Sequence, residues 1–225
     1  MKWIISNHKD GLIDEVYKSE LNNILNNSIK LIICPNDNQL AGFKNNNYLL
    51  GSQDVDYNFN LEELKSMSVK YTILGHSDKR KKYHETNIEI NEKMKKLIEF
   101  NICPILCIGE EKEIETDIEK ILSNELEQCL NNIKTNNIII AYEPVWAIGS
   151  GKIPNIEILI KIIEYIKIKT QELIGITPVV VYGGSVNENT IKDLEQIDLL
   201  DGYLIGSASL DIEKLKQLIG VIKWY

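Results

Sequence analysis

The sequence predicts an α/β protein in which eight short strands, each followed by a helical segment, close into a parallel (β/α)8 barrel. Three observations carry this expectation. Apolar, β-branched runs of strand length recur eight times, segments of helical spacing separate them, and a polar or small residue stands at the C-terminal end of nearly every run. Strand–helix alternation implies parallel strands with right-handed crossovers, and nearly continuous apolar strands imply a sheet covered on both faces. A closed barrel and a doubly wound open sheet both satisfy that. A barrel gathers all its strand C-termini on one face, whereas an open sheet concentrates its site at a switch point between two strands. Chemistry spread over so many strand ends favours the barrel.

Taken in order, the runs are Trp3–Ser6, Lys30–Cys34, Tyr48–Gly51, Tyr71–Gly75, Ile102–Cys107, Ile138–Glu143, Pro178–Gly183 and Gly202–Gly206. The first leads into Asn7 and Lys9, the third into Gln53, the fourth into His76, and the sixth closes on Glu143. The seventh and eighth run into Gly183–Ser185 and Gly206–Ser207. Helical spacing is clearest over Asn87–Phe100, Glu111–Cys129 and Asn155–Leu173, where Ile and Leu recur three and four positions apart. Asn-rich stretches such as Asn22–Asn27 and Asn45–Asn47 read as solvated helix ends and turns.

At roughly 150 residues per domain, 225 residues make one large domain or two small ones. No linker rich in Pro, Gly or Ser divides the chain, so 1–225 reads as a single compact domain. With 44% hydrophobic and 26% charged residues it has the composition of a globular protein with a real core. A net charge of −8, with no basic stripe, makes nucleic acid and anionic membrane poor partners. Cys34, Cys103, Cys107 and Cys129 fall at neither disulfide-framework nor zinc spacing, which points to reduced thiols in the cytoplasm. No apolar stretch approaches the ~18 residues of a membrane span.

The most informative segment is Ala141-Tyr142-Glu143-Pro144-Val145-Trp146-Ala147-Ile148-Gly149-Ser150-Gly151-Lys152. A carboxylate ending a buried strand is desolvated, which raises its pKa and makes it a stronger base. Proline and Trp146 stiffen one end of the following loop, while Gly149 and Gly151 permit bending at the other, as a water-excluding lid requires. An ordinary turn with a capping glutamate is the plainer reading of that segment alone. In Tyr71–Asp78, a strand ends in Gly-His-Ser and enters a helix capped by Ser77 or Asp78. There His76 feels the positive end of the helix dipole, which disfavours its protonation. His8 and His84 sit in polar surroundings and read as surface or loop residues, and three such histidines make no metal site. The turns Tyr182–Val186 and Leu204–Leu210 expose glycine amides after the last two strands, where barrels hold phosphate. Lys9 brings a positive charge within reach of the same anion.

Together these residues resemble the triosephosphate isomerase family, from Asn7 to Leu210. Its glutamate and lid signature is matched throughout Ala141–Lys152, its histidine signature at Tyr71 and Ile73–Ser77. Its Asn-x-Lys appears as Asn7-His8-Lys9, its Cys-Ile-Gly-Glu as Cys107–Glu110, and its Tyr-Gly-Gly-Ser-Val as Tyr182–Val186. The resemblance implies the TIM barrel fold and interconversion of dihydroxyacetone phosphate and glyceraldehyde 3-phosphate, with no metal or organic cofactor. It implies that Glu143 is the base, that His76 polarises the carbonyl as a neutral imidazole, and that Lys9 and Asn7 hold the oxyanion and phosphate charge. The family is the standard example of a carboxylate base paired with a neutral imidazole. Amides of Gly149, Ser185, Gly206 and Ser207 would grip the phosphate. Ser77, Asp78, Cys107, Ile148, Tyr182, Gly183, Gly184 and Leu204 would support the site, with Tyr182 and Ser185 latching the lid. The alternatives are a non-catalytic phosphate-binding scaffold on the same fold, or an aldolase or epimerase, which would want a Schiff-base lysine or metal ligands at strand ends.

Three positions depart from the family. Asp78 replaces a glutamate, Ser207 replaces a glycine, and between Gln53 and Leu61 only Asp54–Asn60 remains of a long loop that docks into the neighbouring subunit. A homodimer with a reduced or rearranged interface, anchored by Tyr57 or Phe59, or a partly monomeric protein, is the expectation.

Overall fold

The computed structural model describes residues 1–8, 13–24, 29–43, 48–55, 61–113 and 117–222. Eight parallel strands close a barrel in sequence order: β1 (Lys2–Asn7), β2 (Ile29–Cys34), β3 (Leu49–Ser52), β4 (Tyr71–Leu74), β5 (Cys103–Ile108), β6 (Ile139–Tyr142), β7 (Val179–Tyr182) and β8 (Gly202–Ile205). Closure is made by β1 pairing with both β2 and β8. All eight expected runs are strands, with ends that differ by at most one residue.

Alternation along each strand sorts the apolar residues into two cores. Ile5, Ile32, Cys34, Ile73, Ile105, Cys107, Ile139, Ala141, Val181 and Leu204 fill the barrel interior. Their neighbours Ile4, Leu31, Ile33, Leu106, Ile140 and Val180 face outward under the helices. These strands have no polar face, which is why they read as unbroken apolar runs in the sequence.

The helices are α1 (Glu15–Ile24), α2 (Leu61–Ser66), α3 (Ser77–Tyr83), α4 (Asn87–Glu99), α5 (Ile118–Cys129), α6 (Ile156–Ile174), α7 (Ile191–Leu194) and α8 (Ile212–Val221). Local chemistry sets their starts. Thr86 and Glu89 form a capping box on α4, and Asn155 accepts from the amides of Glu157 and Ile158 at the start of α6. The run expected from Glu111 becomes helix only at Ile118, and residues 114–116 lie outside the described part. Lys9, Tyr57, Phe59, residues 25–27 of the first Asn-rich stretch and all of the second also lie outside it. Among the described residues no helix is long and apolar enough to cross a membrane. All four cysteines are free and buried.

Candidate active site

The strand C-termini open onto one cavity of about 410 Å³. Residues from β1, β4, β7 and β8 meet there: Asn7, His76, Gly183–Ser185, Leu204 and Gly206–Ser207, with Asp78 at the rim and Ile148, Gly149 and Gly151 of the lid above. The barrel brings together residues as far apart in sequence as 7 and 207.

Glu143 follows β6 directly, and its side chain is 2% exposed. Its Oε2 accepts from the Ser77 amide at 3.3 Å. Its Oε1 lies 3.5 Å from His76 Nε2 and has no hydrogen-bond partner. Burial pushes this carboxyl above its ordinary range, opposed by His76, by the Ser77 amide and by the Cys107 thiol. Burial next to Glu143 in turn holds the Cys107 thiol well above the ordinary cysteine value. Gly183 makes room for the Glu143 side chain, since a Cβ there would come within 2.8 Å of Glu143 Cγ.

His76 is itself the N-cap of α3, in place of the expected Ser77 or Asp78, because its Nδ1 accepts from the Asp78 amide at 3.3 Å. With that lone pair engaged, the neutral ring carries its proton on Nε2, on the side of Glu143. The Asp78 carboxylate approaches Nδ1 at 3.5 Å. The other two histidines part ways. His84 is exposed at the end of α3, as expected, whereas His8 is 0% exposed and is not a surface residue. It is buried against α1, where Tyr17 supplies its partner.

The segment Pro144–Lys152 crosses the cavity mouth. Trp146 Nε1 donates to Glu110 Oε1 at 2.8 Å, and Glu110 also accepts from the Tyr142 hydroxyl at 2.9 Å. Gly149 and Gly151 have φ of 69° and 76°, a region that disfavours side chains. Ser185 Oγ donates to Ala147 O at 2.6 Å and accepts from the Gly151 amide at 3.0 Å, so one hydroxyl ties two points of this segment together. The Tyr182 hydroxyl is buried beside Gly184 without a hydrogen-bond partner. Beneath the lid, Gly206 precedes a 3-10 turn over Ser207–Leu210.

Two bracing residues escaped the sequence reading. Arg80 donates to Gly75 O and Cys107 O at 2.8 and 3.2 Å, and Glu125 Oε2 accepts from the Gly109 amide at 2.9 Å. Both are charged residues on helices that carry other charged residues, so the sequence alone does not set them apart.

A protein-family model described as Triosephosphate isomerase matches residues 4–222. Among curated relatives, the triosephosphate isomerase of Mycoplasmopsis pulmonis is 39% identical over 159 residues, 69% of this chain and 62% of that protein. That of Buchnera aphidicola subsp. Baizongia pistaciae is 36% identical over 85% of this chain and 84% of its own length. That of Wolbachia pipientis wMel is 34% identical over 96% and 90%. The aligned part of the first thus spans less than two thirds of that relative.

Proposed function

The chain belongs to the triosephosphate isomerase family, and from that premise we propose that it interconverts dihydroxyacetone phosphate and D-glyceraldehyde 3-phosphate through an enediolate. The observation that carries this reading is the buried Glu143 carboxylate, with an unpartnered Oε1 beside the Nε2 edge of His76, which itself lines the cavity together with Gly149, Ser185, Gly206 and Ser207.

Glu143 takes a proton from one carbon of the triose and returns it to the next. Desolvation favours this step, because a carboxylate stripped of water binds a proton more strongly. His76 donates from Nε2 to the substrate carbonyl and passes the proton between the two oxygens. Asn7 and Lys9 complete the oxyanion site. The amides of Gly149, Ser185, Gly206 and Ser207 hold the phosphate without a dedicated basic pocket. Closing Pro144–Lys152 keeps water from the enediolate, whose phosphate would otherwise be eliminated, and strengthens each electrostatic contact inside. Ser77, Asp78, Cys107, Ile148, Tyr182, Gly183, Gly184 and Leu204 support these groups.

The proposal includes residues 1–225 as one barrel domain, a cytoplasmic location, and self-association as a homodimer through a reduced interface. The short 54–60 segment supports the last, although residues 56–60 lie outside the described part. A coupled assay on glyceraldehyde 3-phosphate tests the activity. Turnover abolished in Glu143→Gln, with inorganic phosphate still bound, supports the reading, and a wild-type chain without turnover refutes it.

A further inference from the structure

A buried polar chain, unused by the proton transfer, joins the two sides of the phosphate grip. His8 stands between Asn7 and Lys9 in sequence, and its main-chain N–H donates to Cys34 O at 3.0 Å. Its ring meets the Tyr17 ring of α1 edge to face, 4.9 Å between centroids, with Nε2 2.8 Å from the Tyr17 hydroxyl. That hydroxyl also donates to the carbonyl of Ser209, in the turn after β8. Ser209 Oγ then donates to Gly206 O at 2.7 Å, and the Ser209 amide donates to the same carbonyl at 2.9 Å.

Donors and acceptors can be assigned along this chain. A tyrosine hydroxyl has one proton, and a carbonyl only accepts. The Tyr17 proton therefore goes to Ser209 O, and the contact with His8 is made by an Nε2–H. His8 Nδ1 is left as a bare acceptor, and it is buried without a hydrogen-bond partner.

We propose that His8 and Tyr17 are positioning residues for the substrate's phosphate. They set the spacing between Asn7, at the end of β1, and the Gly206–Leu210 turn. The strut is directional, as apolar packing is not, and cutting it leaves buried polar atoms unpaired. This rests on the isomerase reading, since it assigns the phosphate to that turn.

The test uses the full chain with Tyr17→Phe, His8→Met and His8→Gln, the last keeping a donor near the position of Nε2. Three readouts are compared: steady-state kinetics, calorimetric binding of inorganic phosphate, and the histidine ring 15N spectrum, with the melting temperature followed alongside. Tyr17→Phe and His8→Met are expected to raise KM and weaken phosphate binding about five- to twentyfold while kcat stays within about threefold, and His8→Gln to recover most of the loss. Wild-type His8 is expected as the Nε2–H tautomer. Unchanged phosphate affinity in folded Tyr17→Phe, a fall in kcat alone, or an Nδ1–H tautomer overturns the proposal. If Tyr17→Phe does not fold, the wild-type tautomer and the His8→Gln and His8→Met pair decide. Phosphate binding and the tautomer are read without turnover, so an inactive wild type would refute the isomerase and leave the strut still decided.

Discussion

The Ser77 main-chain N–H holds Glu143 Oε2 at 3.3 Å, which ties the end of β6 to the first turn of α3, the helix that His76 caps. The base and the imidazole are thus oriented by one helix start. A substrate carbon must compete with that amide for the carboxylate.

Replacing the base separates chemistry from binding. Glu143→Gln is expected to lower kcat by about three orders of magnitude or more, in line with the loss of a positioned general base, with phosphate affinity within about twofold. Steady-state kinetics and calorimetry check it.

The same variant has a stability signature. Folding raises the Glu143 pKa, so the folded state binds this proton more tightly than the unfolded state does. Below the ordinary carboxylate range the group is protonated in both states and costs nothing. As pH rises through the raised folded value, wild-type stability falls. Glu143→Gln is therefore expected to melt higher than wild type near pH 7.5, with the gap closing as the solution is acidified.

His8 acts with the opposite sign. Burial lowers its pKa to about 4, against a smaller opposing effect of the Ser209 carbonyl. The stability it contributes is fully present above pH ~6.5, the unfolded value, and is lost as pH falls toward 4. Charging it would force a proton onto the buried Nδ1. Wild type is expected to lose up to about 3 kcal/mol over that window, and His8→Gln to flatten this part of the profile, as urea titrations at a series of pH values will show.

Gly183 is expected to matter for space alone. A methyl group there meets Glu143 Cγ at 2.8 Å. Gly183→Ala should displace the carboxylate and cut kcat about ten- to hundredfold, with phosphate binding retained. A kcat within twofold of wild type would show that the neighbour yields.

One hydroxyl makes two of the contacts that hold the Pro144–Lys152 segment. Ser185→Ala removes the links to Ala147 O and to the Gly151 amide together. At about 1 kcal/mol per net hydrogen bond, kcat/KM is expected to fall roughly ten- to thirtyfold, with a small change in melting temperature.

Much of this was legible in the chain itself. Eight apolar runs appeared as eight strands because strands buried on both faces lack a polar face to interrupt them. Asn7, His76, Ser185 and Gly206 could be placed around one cavity because a parallel barrel carries every strand C-terminus to the same side. The cap on α3 was misplaced by one residue, since the sequence shows a serine and an aspartate where an imidazole does the accepting.

Strand and helix periodicity thus determined the architecture and the face onto which the strand ends open, because those depend on patterns repeated along the chain, while the roles expected of the residues there came from the family resemblance. The direction in which Glu143 points, the tautomers of His76 and His8, the bracing by Arg80 and Glu125, and the link from Tyr17 to Ser209 were decided by the tertiary structure alone. Most of these contacts join different elements of the barrel, and all are set by which polar atoms are left together once it has closed and excluded water.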